Sequence, residues 1–287
     1  MKCFYHNDMD GRCAGSLVAQ YEKNYNAEDF FEVDYMVDLT PMLNKIKPKE
    51  RVYFVDYSFN ENTKWILDKL INIDCDIIWI DHHTSSFELI KSYPELNNIK
   101  GIRQDNISGG ALVYMYFNDC EFEDTPYYIK LVSDYDCWIY KYNPDTTYFK
   151  IGLETENYNA LDNIWKELFY YGKLDQIIQK GKIIKQYIDN DNTYYRNQFA
   201  YESEIGGYKA LVINRKSNSW IFGDQYDKYP LVCVWVFNGE KYSYSIYSSN
   251  PNIDCSKIAE NYGGGGHKGA SGFSSDKLLF VKKEVSN

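Results

Sequence analysis

The chain has 287 residues, 44% of them hydrophobic, which fits one large domain or two ordinary ones and excludes global disorder. Its formal net charge of −10 works against a long polyanionic partner, because affinity for extended DNA or RNA comes mainly from Lys and Arg on phosphates. No run approaches the roughly 18 apolar residues that cross a bilayer, the N-terminus lacks signal-peptide regions, and the seven scattered cysteines form no C-x-x-C pair, so a soluble cytoplasmic protein without membrane contact or thiolate zinc site is expected. The 29 tyrosines accompany frequent Asn, Lys and Ile, which reads as compositional bias, although aromatic faces can also stack on bases.

Along the chain, Lys2–Tyr5, Phe31–Val37, Arg51–Val55 and Asp76–Ile80 read as short strands rich in β-branched and aromatic residues. Between them Gly11–Glu22, Pro41–Ile46 and Glu61–Ile71 read as amphipathic helices. This alternation predicts an α/β fold with a parallel sheet flanked by helices on both faces, in which ligands gather at the carboxyl ends of the strands. A further apolar stretch, Tyr128–Ser133, is taken as a fourth source of site residues, again as a strand end. Trp138–Phe149 is loop-like, and helical patterning follows over Asn159–Phe169 and from Leu174 to about Gln198.

Glu202–Gly207 reads as a boundary with a Gly206-Gly207 turn. Strand-like segments Tyr208–Asn214, Leu231–Phe237 and Lys241–Tyr247 come next, the last two joined by the hairpin signal Asn238-Gly239. A helix over Cys255–Asn261 precedes the run Gly263-Gly264-Gly265-Gly266-His267-Lys268. The expected organisation is a first domain over 1–190, with a helical connector from about 159, and a smaller α+β domain over 203–287.

The first strand runs straight into His6-Asn7-Asp8-Met9-Asp10-Gly11, the third ends in Asp56-Tyr57-Ser58, the fourth in Asp81-His82-His83, and Tyr128–Ser133 in Asp134-Tyr135-Asp136. Adjacent carboxylates repel, and partial burial desolvates them, so such a rim calls for a positive partner, best supplied by a divalent metal. Of the chain's four histidines, three lie in these clusters and the fourth, His267, follows the glycine run. Imidazoles and carboxylates without thiolates suit Mn²⁺ best and Mg²⁺ or Co²⁺ less well. The number of ligands suits two ions about 3.5–4 Å apart, sharing Asp56 as a bridge, the arrangement used for in-line displacement at phosphorus. Asp81 is placed to fix a histidine ring. Asp134 is preferred in the fourth cluster because it follows the apolar run directly, with Asp136 as the alternative.

The glycine run, read as lying before a helix-like stretch, lets bare amides approach an anion, and His267 and Lys268 favour anion capture. Arg103 and Arg215 are the other cationic candidates for a phosphate.

In order and spacing, H-N-D-M-D-G, V-D-Y-S, D-H-H, the carboxylate at Asp134, and G-G-G-H with its downstream A-S-G-F resemble the DHH phosphoesterase superfamily, most closely the two-domain nanoRNases that trim short oligoribonucleotides. The resemblance implies one manganese held by His6, Asp8 and Asp56, a second held by Asp10, Asp56, His82 and Asp134, and His83 on the scissile phosphate. It also implies that Gly264, Gly265, Gly266, His267 and Lys268 grip the substrate across an interdomain cleft. Tyr247 stands in Ser245-Ile246-Tyr247-Ser248, where many relatives carry an Arg, which bears on recognition of a terminal phosphate or the next nucleotide.

The implied activity is hydrolysis of short RNA or linear dinucleotides to 5'-monophosphates by a chain that is compatible with a homodimer. The alternatives are degradation of a nucleotide second messenger, conjugated nucleotide or 3',5'-bisphosphonucleoside, or a non-catalytic nucleotide sensor.

Overall fold

Four strands carry the first part of the chain: β1 (Lys2–His6), β2 (Phe30–Val33), β3 (Arg51–Val55) and β4 (Asp76–Ile80). They pair in the order β2-β1-β3-β4, every pairing parallel, so all four carboxyl ends lie along one edge. Helices α1 (Met9–Glu22), α2 (Thr40–Leu43), α3 (Lys64–Asn72), α4 (Thr84–Ser92), α5 (Gly109–Asn118), α6 (Tyr127–Asp136), α7 (Asp145–Leu153), α8 (Asn163–Tyr170) and α9 (Leu174–Phe199) complete this part.

Side chains along a strand alternate between faces, and here both faces are buried. Cys3, Tyr5, Tyr53, Val55, Ile78 and Ile80 pack into one core with α1, α5 and α6. Phe4, Val52, Phe54, Ile77 and Trp79 enter a second core with α2 and α3. That is why these strands read as continuous apolar runs in the sequence. With both faces filled by hydrophobic packing, polar groups are left to the strand ends, and the histidine and aspartate groups that could hold a metal lie at the carboxyl-terminal edge.

In this computed structural model, which describes residues 1–282, the chain divides into two compact units, Met1–Ile184 and Lys185–Asn287, with the division inside α9. The second unit contains β5 (Tyr201–Ile205), β6 (Tyr208–Asn214), β7 (Leu231–Phe237), β8 (Tyr242–Tyr247), α10 (Cys255–Glu260), β9 (Gly265–His267) and β10 (Ala270–Ser275). Its sheet has the mixed order β5-β6-β7-β8-β10-β9. Gly206 and Gly207, both at positive φ, turn β5 into its antiparallel partner β6, so the stretch read as an interdomain boundary is a hairpin inside the second unit. Asn238-Gly239 turns β7 into β8 as its dipeptide signals.

Two further sequence expectations change. Tyr128–Ser133 lies in helix α6, not in a strand. The glycine run does not open a helix: Gly265–His267 is an exposed edge strand paired with β10.

Candidate metal centre

The edge is built first around β1 and α1. His6 closes β1, and its Nδ1 lies 2.7 Å from Asp8 Oδ2, while Asp8 Oδ1 accepts the Gly11 amide at 2.9 Å and so caps α1. A Cβ on Gly11 would fall 2.2 Å from the His6 carbonyl oxygen, so only glycine lets α1 start this close to β1. Within that first turn, Asp10 is 1% exposed, and its carboxylate accepts the amides of Gly109 and Gly110 at 2.6 and 2.9 Å. The unsatisfied amides at the start of α5 thus hold a buried acid. A Cβ at Gly109 would lie 2.6 Å from the Cβ of Asp56, so glycine is needed there as well.

Asp56 follows β3 in the left-handed region, with φ 52, and its amide donates to the Ile80 carbonyl at 2.9 Å. Backbone of this kind in a non-glycine residue costs on the order of 1–3 kcal/mol and is held only where the surroundings over-determine it. Here it turns the carboxylate into the cluster. His82 Nε2 lies 3.2 Å from Asp56 Oδ1, 3.3 Å from Asp136 Oδ2 and 4.0 Å from Asp10 Oδ2. His83 Nδ1 lies 2.7 Å from Asp81 Oδ1, and the other Asp81 oxygen accepts the Ser86 hydroxyl, so this fully buried acid orients the His83 ring.

The charges are unbalanced. Burial pushes Asp56 well above the usual carboxylate range, reinforced by Asp10, Asp8, Asp136 and Asp81. Burial likewise raises Asp10, and it raises Asp136 to about 8 with help from Asp10 and Asp8. For Asp8 burial acts upward, but the hydrogen bonds from His6 and Gly11 outweigh it and hold the group low. Both oxygens of Asp56 are buried with no hydrogen-bond partner. An orphaned buried carboxylate is expensive unless a cation meets it. Three sets of donors gather there, each within 4.8 Å: His6, Asp8 and Asp56; Asp56, His82 and His83; and His82, Asp136 and Cys137. The residues therefore fit divalent cations, with Asp56 shared between the first two sets.

Asp134 does not join them. Its carboxylate accepts the Lys141 amide at 2.7 Å, the Tyr142 amide at 3.1 Å and the Thr146 hydroxyl, while Asp136 faces His82. Because α6 is a helix, residues two apart point to nearly opposite sides, so only one of the two acids can reach the cluster.

Arg103 is not free for a phosphate either. Its guanidinium donates to the carbonyls of Trp79, Ile99, Lys100 and Asn97 and stacks 5.4 Å from the Trp79 ring. Arg215 pairs with Asp191 and lies 4.0 Å over the Tyr195 ring. In the second unit, Tyr247 is half-buried in β8, His267 and Lys268 are exposed, and Gly264 packs where a Cβ would fall 2.2 Å from the Gly272 carbonyl oxygen. Sequence reasoning missed Ser108-Gly109-Gly110, although a serine N-cap before an apolar run was there to be found.

No protein-family model matches the chain. A protein of Acanthamoeba polyphaga mimivirus described as uncharacterized is 30% identical over 256 residues, covering 80% of this chain and 54% of its own length. The chain thus spans about half of that relative. Oligoribonuclease NrnB of Bacillus subtilis is 21% identical over 295 residues, covering 94% of this chain and 72% of its own. Among solved structures, the DHH domain of a protein described as a member of a family of ribosomal proteins matches with TM-score 0.57 at 16% identity, over 94% of this chain and 81% of that one. PggH, a pGpG-specific phosphodiesterase of Vibrio cholerae, matches with TM-score 0.55 at 11% identity, over 95% and 92%.

Proposed function

We propose that this chain, which has the fold of the DHH-domain proteins, is a divalent-metal phosphodiesterase that hydrolyses very short oligoribonucleotides or linear dinucleotides to nucleoside 5'-monophosphates. The observation that carries the reading is the Asp56 carboxylate, buried with no hydrogen bond to either oxygen and shared by two donor sets at the carboxyl edge of a parallel sheet. The Bacillus relative named as an oligoribonuclease and the fold neighbour named for pGpG, a linear dinucleotide, support the substrate class.

In this reading His6, Asp8 and Asp56 hold one ion, and Asp10, Asp56, His82 and Asp136 hold the other, with manganese favoured by the carboxylate and imidazole donors. Two such ions, when bound, would neutralise charge on the phosphate and make a water-derived nucleophile available near neutral pH. The remaining work falls to the chain. Burial would depress His83, but the hydrogen bond and charge of Asp81 outweigh it and raise its basicity, so the imidazole holds its proton more readily. With Nδ1 fixed on Asp81, Nε2 is the atom left to donate to a phosphoryl oxygen. The glycine strand with His267 and Lys268, together with Tyr247, is proposed as a nucleotide-binding element of the second unit. A net charge of −10 disfavours long RNA or DNA.

The test is to incubate Mn²⁺-loaded protein with di- to pentaribonucleotides, cyclic dinucleotides, 3',5'-bisphosphoadenosine and long RNA, and to separate the products. The expected result is 5'-monophosphates from the short linear substrates, lost in His82→Ala. Full activity in that variant would remove the assignment, and preference for a cyclic or conjugated nucleotide would redirect it to the second-messenger reading.

A further inference from the structure

The segment after the Asp136 ligand is built with unusual care for a surface loop. Trp138 and Tyr140 both sit in the left-handed region, with φ 56 and 54. Two strained non-glycine residues this close together require something to hold them. The anchoring is complete along the segment. The Trp138 amide donates to the Tyr135 carbonyl at 3.2 Å, and the Ile139 and Tyr140 amides donate to the Asp134 carbonyl at 3.1 and 3.3 Å. The Lys141 and Tyr142 amides donate to the Asp134 carboxylate.

What this rigid segment presents is an indole. Trp138 is 78% exposed, the most exposed of the six tryptophans, and its ring meets Tyr140 edge-on at 6.2 Å. It lies two residues from Asp136 and next to Cys137, both grouped with His82 at the metal centre. A large aromatic left in water gains nothing for folding, whereas an indole two residues along the chain from an acidic cluster can recognise a neutral π-face without adding cations.

We infer that Trp138 is the stacking platform for a nucleobase flanking the scissile phosphate, with Asp134 as the residue that positions it. This rests on the phosphodiesterase reading above and adds base recognition to it. It also gives Asp134, the first acid of the Asp134-Tyr135-Asp136 motif, a role of its own.

The test measures kcat and KM of the Mn²⁺-loaded chain on a linear diribonucleotide and on the matching abasic phosphodiester, for wild type, Trp138→Ala and Trp138→Phe. The preference for the base-bearing substrate is expected to fall about 5- to 150-fold in Trp138→Ala, through KM, and to be largely restored in Trp138→Phe. An unchanged preference would overturn the inference and mark the indole as a surface for some other macromolecule. If wild type cleaves neither substrate, the failure belongs to the phosphodiesterase reading. Quenching of tryptophan fluorescence by 5'-AMP, present in wild type and lost in Trp138→Ala, then still decides the stacking claim.

Discussion

Asp10 and Gly109 are joined across 99 residues of chain by a 2.6 Å hydrogen bond from the glycine amide to the buried carboxylate, which ties the first turn of α1 to the first turn of α5. The same glycine leaves room for Asp56, since an added Cβ would stand 2.6 Å from its Cβ and 2.9 Å from its Cα. Those atoms belong to a strained backbone with nowhere to move. Gly109→Ala is therefore expected to lose about 1–3 kcal/mol of stability in urea denaturation. Mn²⁺ affinity should fall roughly 10- to 100-fold by calorimetric titration. Gly110→Ala, whose new methyl would meet the Asp10 carboxylate and the Cys13 side chain, is expected to do less. Equal effects would show that the approach to Asp56 is not the constraint.

Metal removal should make stability fall as pH rises. Burial raises Asp56 and Asp10, and burial with the neighbouring Asp10 and Asp8 charges pushes Asp136 up to about 8 from an ordinary 3.8. Between these limits the folded chain binds more protons than the unfolded chain, so stability falls as pH rises. In chelator the melting temperature is thus expected to decline from about pH 4 to about pH 8. Saturating Mn²⁺ should remove the decline, because the cation replaces the protons. Asp56→Asn should flatten the slope without metal and weaken Mn²⁺ binding. A flat profile in the metal-free wild type would contradict the buried, uncompensated cluster.

His83 owes its raised basicity to Asp81 against an opposing burial effect, so Asp81→Asn should lower its titration midpoint in NMR spectra of the metal-free protein. The same variant is expected to reduce kcat about 10²-fold or more, in line with the loss of a group that orients a proton donor. An unmoved midpoint would show that Asp81 serves only to accept the Ser86 hydroxyl.

The parts of the molecule that could be read from sequence are those where one physical cause dominates. β1, β3 and β4 are buried on both faces, which leaves an unambiguous apolar run, and each ends where polar residues begin. His6, Asp8, Asp56 and His82 converge because parallel strands bring their carboxyl ends to one edge. Tyr128–Ser133 fails for a related reason: a short apolar run has no period of its own, and helix and strand differ in which of Asp134 and Asp136 faces inward. Arg103 fails because a cation in a sequence carries no sign of the carbonyl oxygens of Trp79 and Ile99 that enclose it. The glycine run shows that backbone freedom alone does not specify a loop, since Gly264 and Gly266 are required by close packing against β10.

The two acids of α6 can be separated experimentally. Asp136→Asn removes the carboxylate facing His82 and should weaken Mn²⁺ binding, with little cost to folding because that side chain is partly exposed. Asp134→Asn acts differently. An amide group keeps one acceptor and turns a donor toward the amides of Lys141 and Tyr142, so the 137–142 segment loses part of its anchor. The expected loss is about 1–3 kcal/mol in denaturation, as for other buried hydrogen-bonding groups left unpaired. Metal affinity should change far less than in Asp136→Asn. Calorimetry with Mn²⁺ on both variants distinguishes the roles: tighter dependence on Asp134 than on Asp136 would return the fourth ligand to Asp134 and require α6 to rotate in the loaded protein.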